Sequence, residues 1–243
     1  MNLPNALTIG RIAITPLVAI LAFVGSWEWR LVAFVVYIVA AVSDYYDGAL
    51  ARRRNQITPL GQLLDPLADK LLLVGTVVPM FLLIGSGSAA SLWSPLAGLA
   101  GAMPGPVLLD GGIERFPLYT PLGIIGLPWW ILAVIFGREL LMTALRQFAA
   151  RRGVIIAAIG PAKWKTGFQS TWVGATYFWF FAATIAAHYG WTSTAWRAFA
   201  HFNGIVGTLS MAGATALTLY SLGLYIHRFG WVLGDAGRRA RAR

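Results

Sequence analysis

Six stretches of this chain are long and apolar enough to cross a bilayer, some of them only with their flanks. They lie near Ile9–Gly25, Leu31–Leu50, Leu60–Ile84, Leu122–Leu145, Phe168–Ala187 and Phe202–Tyr225. A membrane helix needs about 20 mostly apolar residues, because the hydrocarbon core offers no partner for an open backbone. Composition agrees: 58% of the 243 residues are hydrophobic and only 12% are charged. A soluble domain carries about 25% charged residues. The expected fold class is therefore all-α and integral to the membrane, with six transmembrane helices and a short amino-terminal interfacial helix over Met1–Ile9. Residues 1–233 read as one six-helix transmembrane domain, and 234–243 as a flexible basic tail near anionic headgroups.

The charge pattern orients the spans. The net charge is +10, yet the outer loops carry only Arg30, Arg115 and Arg197 when both termini are placed in the cytoplasm. That asymmetry follows the positive-inside rule and accounts for the net charge without nucleic acid. Trp27 and Trp29 flank Glu28 in the first outer loop, as interfacial anchors do. The segment Gly85–Gly123 reads as an outer loop with a short re-entrant or interfacial piece around Leu96–Leu109. Met1–Ile9 has no basic region, and no small-residue cleavage site follows it, so residue 1 is expected at or near the mature start. There are no cysteines, which excludes disulfides and thiolate metal sites.

Four carboxylates fall inside the apolar segments: Asp44, Asp47, Asp65 and Asp69. Charge at such positions is costly and marks function. At 3.6 residues per turn, Asp44, Asp47, Gly48, Ala51 and Arg52 share one face of the second span. Gly61, Asp65 and Asp69 share one face of the third. The short connection, with Thr58 as N-cap and Pro59 as first helical residue, makes the two helices antiparallel neighbours. Four carboxylates around one small volume repel unless protonated or neutralised by cations. Oxygen donors suit Mg²⁺, Mn²⁺ or Ca²⁺, and two ions can clamp a phosphoryl-type displacement. The small residues Gly48, Ala51 and Gly61 leave room for a bulky ligand, and Arg52 suits a diphosphate.

This pattern, Asp44-x2-Asp47-Gly48-x2-Ala51-Arg52-x8-Gly61-x3-Asp65-x3-Asp69, resembles the signature of the CDP-alcohol phosphatidyltransferase family at all eight positions. Asn2-Leu-Pro4-Asn5-x-Leu7-Thr8-x2-Arg11-x4-Pro16, Gly137–Arg146 and Lys163-Trp-Lys165-Thr166 resemble the bacterial members that use glycerol 3-phosphate; cardiolipin-forming relatives share parts of them. The outer loop is longer than is usual in the family, and Gln147 stands where many of these members carry an acid.

The resemblance implies an enzyme that transfers the phosphatidyl group from CDP-diacylglycerol to glycerol 3-phosphate, releasing CMP. Asp44, Asp47 and Asp65 would ligate two Mg²⁺ or Mn²⁺ ions, with Asp69 beside them as general base. Gly48, Ala51, Arg52 and Gly61 would hold the CDP part, with Asn5, Thr8 and Arg11 from the amino-terminal segment. The acceptor phosphate needs its own cations, for which Arg138, Arg146, Lys163 and Lys165 are the candidates. Glu139 is expected to pair with a neighbouring Arg. The resemblance also implies a homodimer among membrane phospholipids, multi-pass in the bacterial inner membrane, with its active site facing the cytoplasm. Within the family, phosphatidylglycerol, inositol phosphate or serine are alternative acceptors. From a different class, a divalent-cation transporter would place its carboxylates near mid-membrane and give Gly48, Ala51 and Arg52 no role.

Overall fold

The computed structural model describes residues 3–53, 59–85, 103–109, 113–154, 156 and 160–229. Within these, the side chains of 3–4, 44–53, 59–60, 62–63, 108–109, 113 and 161–163 lie outside the description. Among the described residues there are six long helices: α1 (Leu3–Leu21), α2 (Trp27–Arg53), α3 (Pro59–Ile84), α4 (Trp129–Arg151), α5 (Pro161–His188) and α6 (Thr194–Phe229). Two of them contain segments long and apolar enough to cross a membrane, Leu64–Ile84 and Thr194–Phe229. Asn5–Leu21 is a shorter apolar stretch. The basic tail, 234–243, lies outside the described residues.

Two expectations change. The amino-terminal segment is no separate interfacial helix: α1 runs from Leu3 to Leu21 as one helix, with Pro16 inside it. The segment between α3 and α4, where described, holds short strands, which the sequence pattern does not predict. β1 (Val107–Leu109) pairs with β2 (Ile113–Arg115), and β3 (Leu118–Thr120) with β4 (Gly123–Ile125), both antiparallel. Leu96–Ala102 lies outside the described residues.

Contacts divide the chain into two compact units. The first comprises Met1–Pro128 and Val173–Gly207, the second Trp129–Trp172 and Thr208–Arg243.

In the first unit, α1 packs against both α2 and α3 and runs parallel to α3. The contacts rise in step: Thr8 meets Asp65, Arg11 meets Asp69, and Thr15 meets Gly75. The close approach depends on Gly75, where an added Cβ would stand 2.6 Å from the Thr15 methyl. Thr15 cannot easily turn away, since its hydroxyl donates to the Arg11 carbonyl at 2.8 Å. One turn on, Pro79 interrupts α3 and has no N–H for the Gly75 carbonyl. The Tyr177 hydroxyl from α5 fills that gap with long bonds to Gly75 O (3.5 Å) and Thr76 O (3.4 Å).

The hairpins are tied down by buried side chains. Trp179 Nε1 donates to Pro117 O at 3.1 Å, Trp196 Nε1 to Pro104 O at 2.9 Å, and the Tyr119 hydroxyl to Gly105 O at 3.1 Å. The two indoles stack, with centroids 5.7 Å apart. Burying an indole N–H without an acceptor is costly, and in these two it finds loop carbonyls. Arg30 completes the tie. It is buried over the Phe116 ring at 4.5 Å, with Nη2 on Glu114 at 2.6 Å and Nη1 on Thr184. Glycines end three helices: Gly85, Gly153 and Gly190 take φ of 84°, 76° and 64°.

Close approach of α6 to β3 sets a testable limit. A Cβ on Gly204 would lie 1.8 Å from the Tyr119 carbonyl oxygen, whereas one on Gly223 meets nothing within 4 Å. Gly204→Ala is expected to destabilise the fold by about 3 kcal/mol or more through overpacking. Gly223→Ala is expected to be neutral or slightly stabilising through helix propensity. Thermal unfolding of both variants in detergent, followed by tryptophan fluorescence, checks the contrast.

Candidate active site

The aspartate signature maps onto two helices. Asp44, Asp47, Gly48, Ala51 and Arg52 all lie on the unbroken α2, and their side chains lie outside the described residues. Gly61, Asp65 and Asp69 lie on α3, with the two carboxylates one turn apart on one face. The connecting residues 54–58, including the expected N-cap Thr58, lie outside the described residues. Gly61 is buried, and Asp65 and Asp69 are exposed.

Helix α1 supplies the partners of the α3 carboxylates. Thr8 Oγ1 donates to Asp65 Oδ1 at 2.8 Å. Arg11 Nη1 donates to Asp69 Oδ1 at 3.2 Å. Arg11 is 2% exposed, so its charge is stripped of water and compensated by Asp69, whose side chain is 59% exposed. Asn5 and Thr8 are buried on the same helix. The amino-terminal candidates and two signature aspartates are therefore brought together. Sequence spacing could not provide that link, because Thr8 and Asp65 are 57 residues apart.

The donor set suits a hard divalent cation. Asp65 and Asp69 present carboxylate oxygens one turn apart, exposed enough to be reached, with a hydroxyl donor fixing one oxygen of Asp65.

The second unit holds a charged cluster of its own. Arg138 and Glu139 are consecutive on α4, and Arg138 Nη1 donates to Glu139 Oε1 at 2.9 Å. Lys165, near the start of α5, donates to that same oxygen. Arg138 and Lys165 are both buried, and the Arg138 guanidinium lies 6.0 Å from the Tyr225 ring centroid. Tyr225 belongs to a buried apolar cluster with Met142 and Leu145. Of the four expected acceptor cations, the structure joins Arg138 and Lys165. Arg146 is exposed further along α4, and the Lys163 side chain lies outside the described residues. The expected pairing of Glu139 with an arginine is present, but its bridge to Lys165 across 26 residues is not legible in the sequence. The available signal was an acid beside an arginine within an apolar helix.

Comparison with known proteins places these features. The sequence model of the CDP-alcohol phosphatidyltransferase family matches residues 1–104 and 95–197. A CDP-diacylglycerol–glycerol-3-phosphate 3-phosphatidyltransferase of Rickettsia bellii is 43% identical over 81 residues, 33% of this chain and 44% of that relative. A cardiolipin synthase (CMP-forming) of Oryza sativa is 33% identical over 180 residues, 70% of this chain and 44% of the relative. A probable phosphatidylglycerophosphate synthase of Mycobacterium tuberculosis is 33% identical over 176 residues, 71% of this chain and 64% of the relative. The aligned part thus spans between 44% and 64% of these relatives' own length. With a family match over most of its length, this chain belongs to the CDP-alcohol phosphatidyltransferase family.

Proposed function

We propose that this protein transfers the phosphatidyl group of CDP-diacylglycerol to sn-glycerol 3-phosphate, giving phosphatidylglycerophosphate and CMP. The observation that carries the reading is the eight-position aspartate signature on α2 and α3, with Thr8 and Arg11 of α1 bonded to two of its carboxylates. The names of the Rickettsia and Mycobacterium relatives support this acceptor. A second reading has a specific support in the rice relative, named a cardiolipin synthase: there phosphatidylglycerol would be the acceptor.

In this reading Asp44, Asp47, Asp65 and Asp69 surround two Mg²⁺ or Mn²⁺ ions, which when bound offset the negative charge of the diphosphate. Gly48, Ala51, Arg52 and Gly61 hold the CDP part, with Asn5, Thr8 and Arg11. Asp69 takes the proton from the acceptor hydroxyl. That oxygen attacks the phosphorus bearing diacylglycerol, and the bond to CMP breaks. Arg11 holds one oxygen of Asp69 and so orients the base; Thr8 does the same for Asp65. Arg138 and Lys165, with Arg146 and Lys163, take the acceptor phosphate.

The same reading makes all six helices membrane spans of a multi-pass protein in a bacterial inner membrane. Both termini and the active site then face the cytoplasm. Its exposed apolar side chains support this, among them Leu17, Ile20, Val39, Val74 and Leu209. The protein works as a homodimer among phospholipids, as family resemblance suggests.

The deciding experiment is CMP release from CDP-diacylglycerol by purified protein, with glycerol 3-phosphate, phosphatidylglycerol, inositol phosphate and serine in parallel. Release with glycerol 3-phosphate alone, abolished by a chelator and restored by Mg²⁺ or Mn²⁺, is the expected outcome. Release only with phosphatidylglycerol would replace it with the second reading, and metal-independent release would remove the two-ion site. Asp69→Asn is expected to lower kcat by about a hundredfold or more, the scale of a lost general base, while CDP-diacylglycerol binding persists; near-normal turnover would sink that role. Arg138→Ala is expected to raise the KM for glycerol 3-phosphate by roughly tenfold or more, as for a lost charged hydrogen bond. The KM for the lipid should move far less, which steady-state kinetics with each substrate varied will show.

A further inference from the structure

Glu139 has no task in the reaction as described, yet it occupies a demanding position. Its Oε1 accepts from Arg138 Nη1 at 2.9 Å and from Lys165 Nζ. The two cations are 7% and 5% exposed, so water solvates neither. Two buried positive charges at one carboxylate oxygen would push each other apart without it, and each would lack compensation for its lost hydration. Glu139 offsets one of the two charges and leaves the cluster at +1. Arg138 lies against the face of Tyr225 on another side, and among the described residues its Nε is buried without a hydrogen-bond partner. A buried, unsatisfied guanidinium N–H beside surplus positive charge calls for an anionic oxygen.

We propose that Glu139 is the positioning residue of an anion site for a phosphate monoester. It holds Arg138 and Lys165 side by side in the geometry that one phosphate group can bridge. The proposal rests on the reading that the acceptor is phosphorylated. Glu139 is not a catalytic residue: it acts through the two cations and touches no reacting atom. Its carboxylate is the permanent counter-ion, and the phosphate is the second.

The test uses the full chain in lipid nanodiscs, as wild type, Glu139→Gln and Glu139→Asp. Steady-state kinetics would vary glycerol 3-phosphate and CDP-diacylglycerol in turn, and calorimetry would measure glycerol 3-phosphate binding without the lipid substrate. Glu139→Gln keeps the shape but removes the charge. It is expected to raise the KM and Kd for glycerol 3-phosphate on the order of tenfold, with the KM for CDP-diacylglycerol unchanged. Glu139→Asp keeps the charge with a shorter reach and is expected to fall between wild type and Glu139→Gln. Equal effects on both KM values, a fall in kcat alone, or no effect would overturn the proposal. Should Glu139→Gln fail to fold, Glu139→Asp carries the same test, and equal effects on its two KM values are the overturning result. Wild-type protein that uses only acceptors without a phosphate monoester would overturn the acceptor reading itself, a result visible before any variant is compared.

Discussion

A charge carried on an apolar helix must find an opposite charge within reach, and much of this structure answers that requirement. Water is scarce around such helices, and an uncompensated ion there costs several kcal/mol. Arg11 meets Asp69, Arg30 meets Glu114, and Glu139 meets both Arg138 and Lys165. Apart from Arg138–Glu139, which are neighbours on α4, these pairings join separate segments and fix where one element stands against another. Arg11 ties α1 to α3, Arg30 ties α2 to β2 and α5, and Glu139 ties α4 to α5.

These ties differ in consequence because their surroundings differ. Asp69 remains largely exposed beside buried Arg11, so the pair orients a carboxylate while leaving it accessible. Arg30 is buried against Phe116 and Thr184, which suits a structural clamp. The Glu139 cluster carries one positive charge more than it neutralises and holds an unsatisfied donor, which suits an anion. The same residue types thus stand in three different settings, set apart by their balance of charge and exposure.

Glycine sets the distances at which these pairings become possible. Gly75 lets α1 approach α3 closely enough for Thr8 and Arg11 to reach Asp65 and Asp69. Gly204 lets α6 meet the backbone of β3, so that Trp196 and Trp179 can donate to the loop carbonyls. Neither glycine stands out in sequence among the 27 of this chain. Their importance lies in what stands opposite them, which only the packed chain defines.

Sequence alone determined the six helical segments and the two faces that carry the aspartate signature. Hydropathy sums along the chain and helical periodicity is local, so both are readable without knowing the neighbours. It also pointed to Asn5, Thr8 and Arg11 through resemblance, and the fold brings two of these onto Asp65 and Asp69. The sequence was silent on the two hairpins, whose three-residue strands are too short for an alternating pattern to register. Tertiary structure alone decided that Glu139 bridges Arg138 to Lys165, that Arg146 is exposed while they are buried, and that Arg30 reaches Glu114 across 84 residues. Pairing of charges depends on which side chains packing brings within about 3 Å of each other, and no local pattern in the chain encodes that distance.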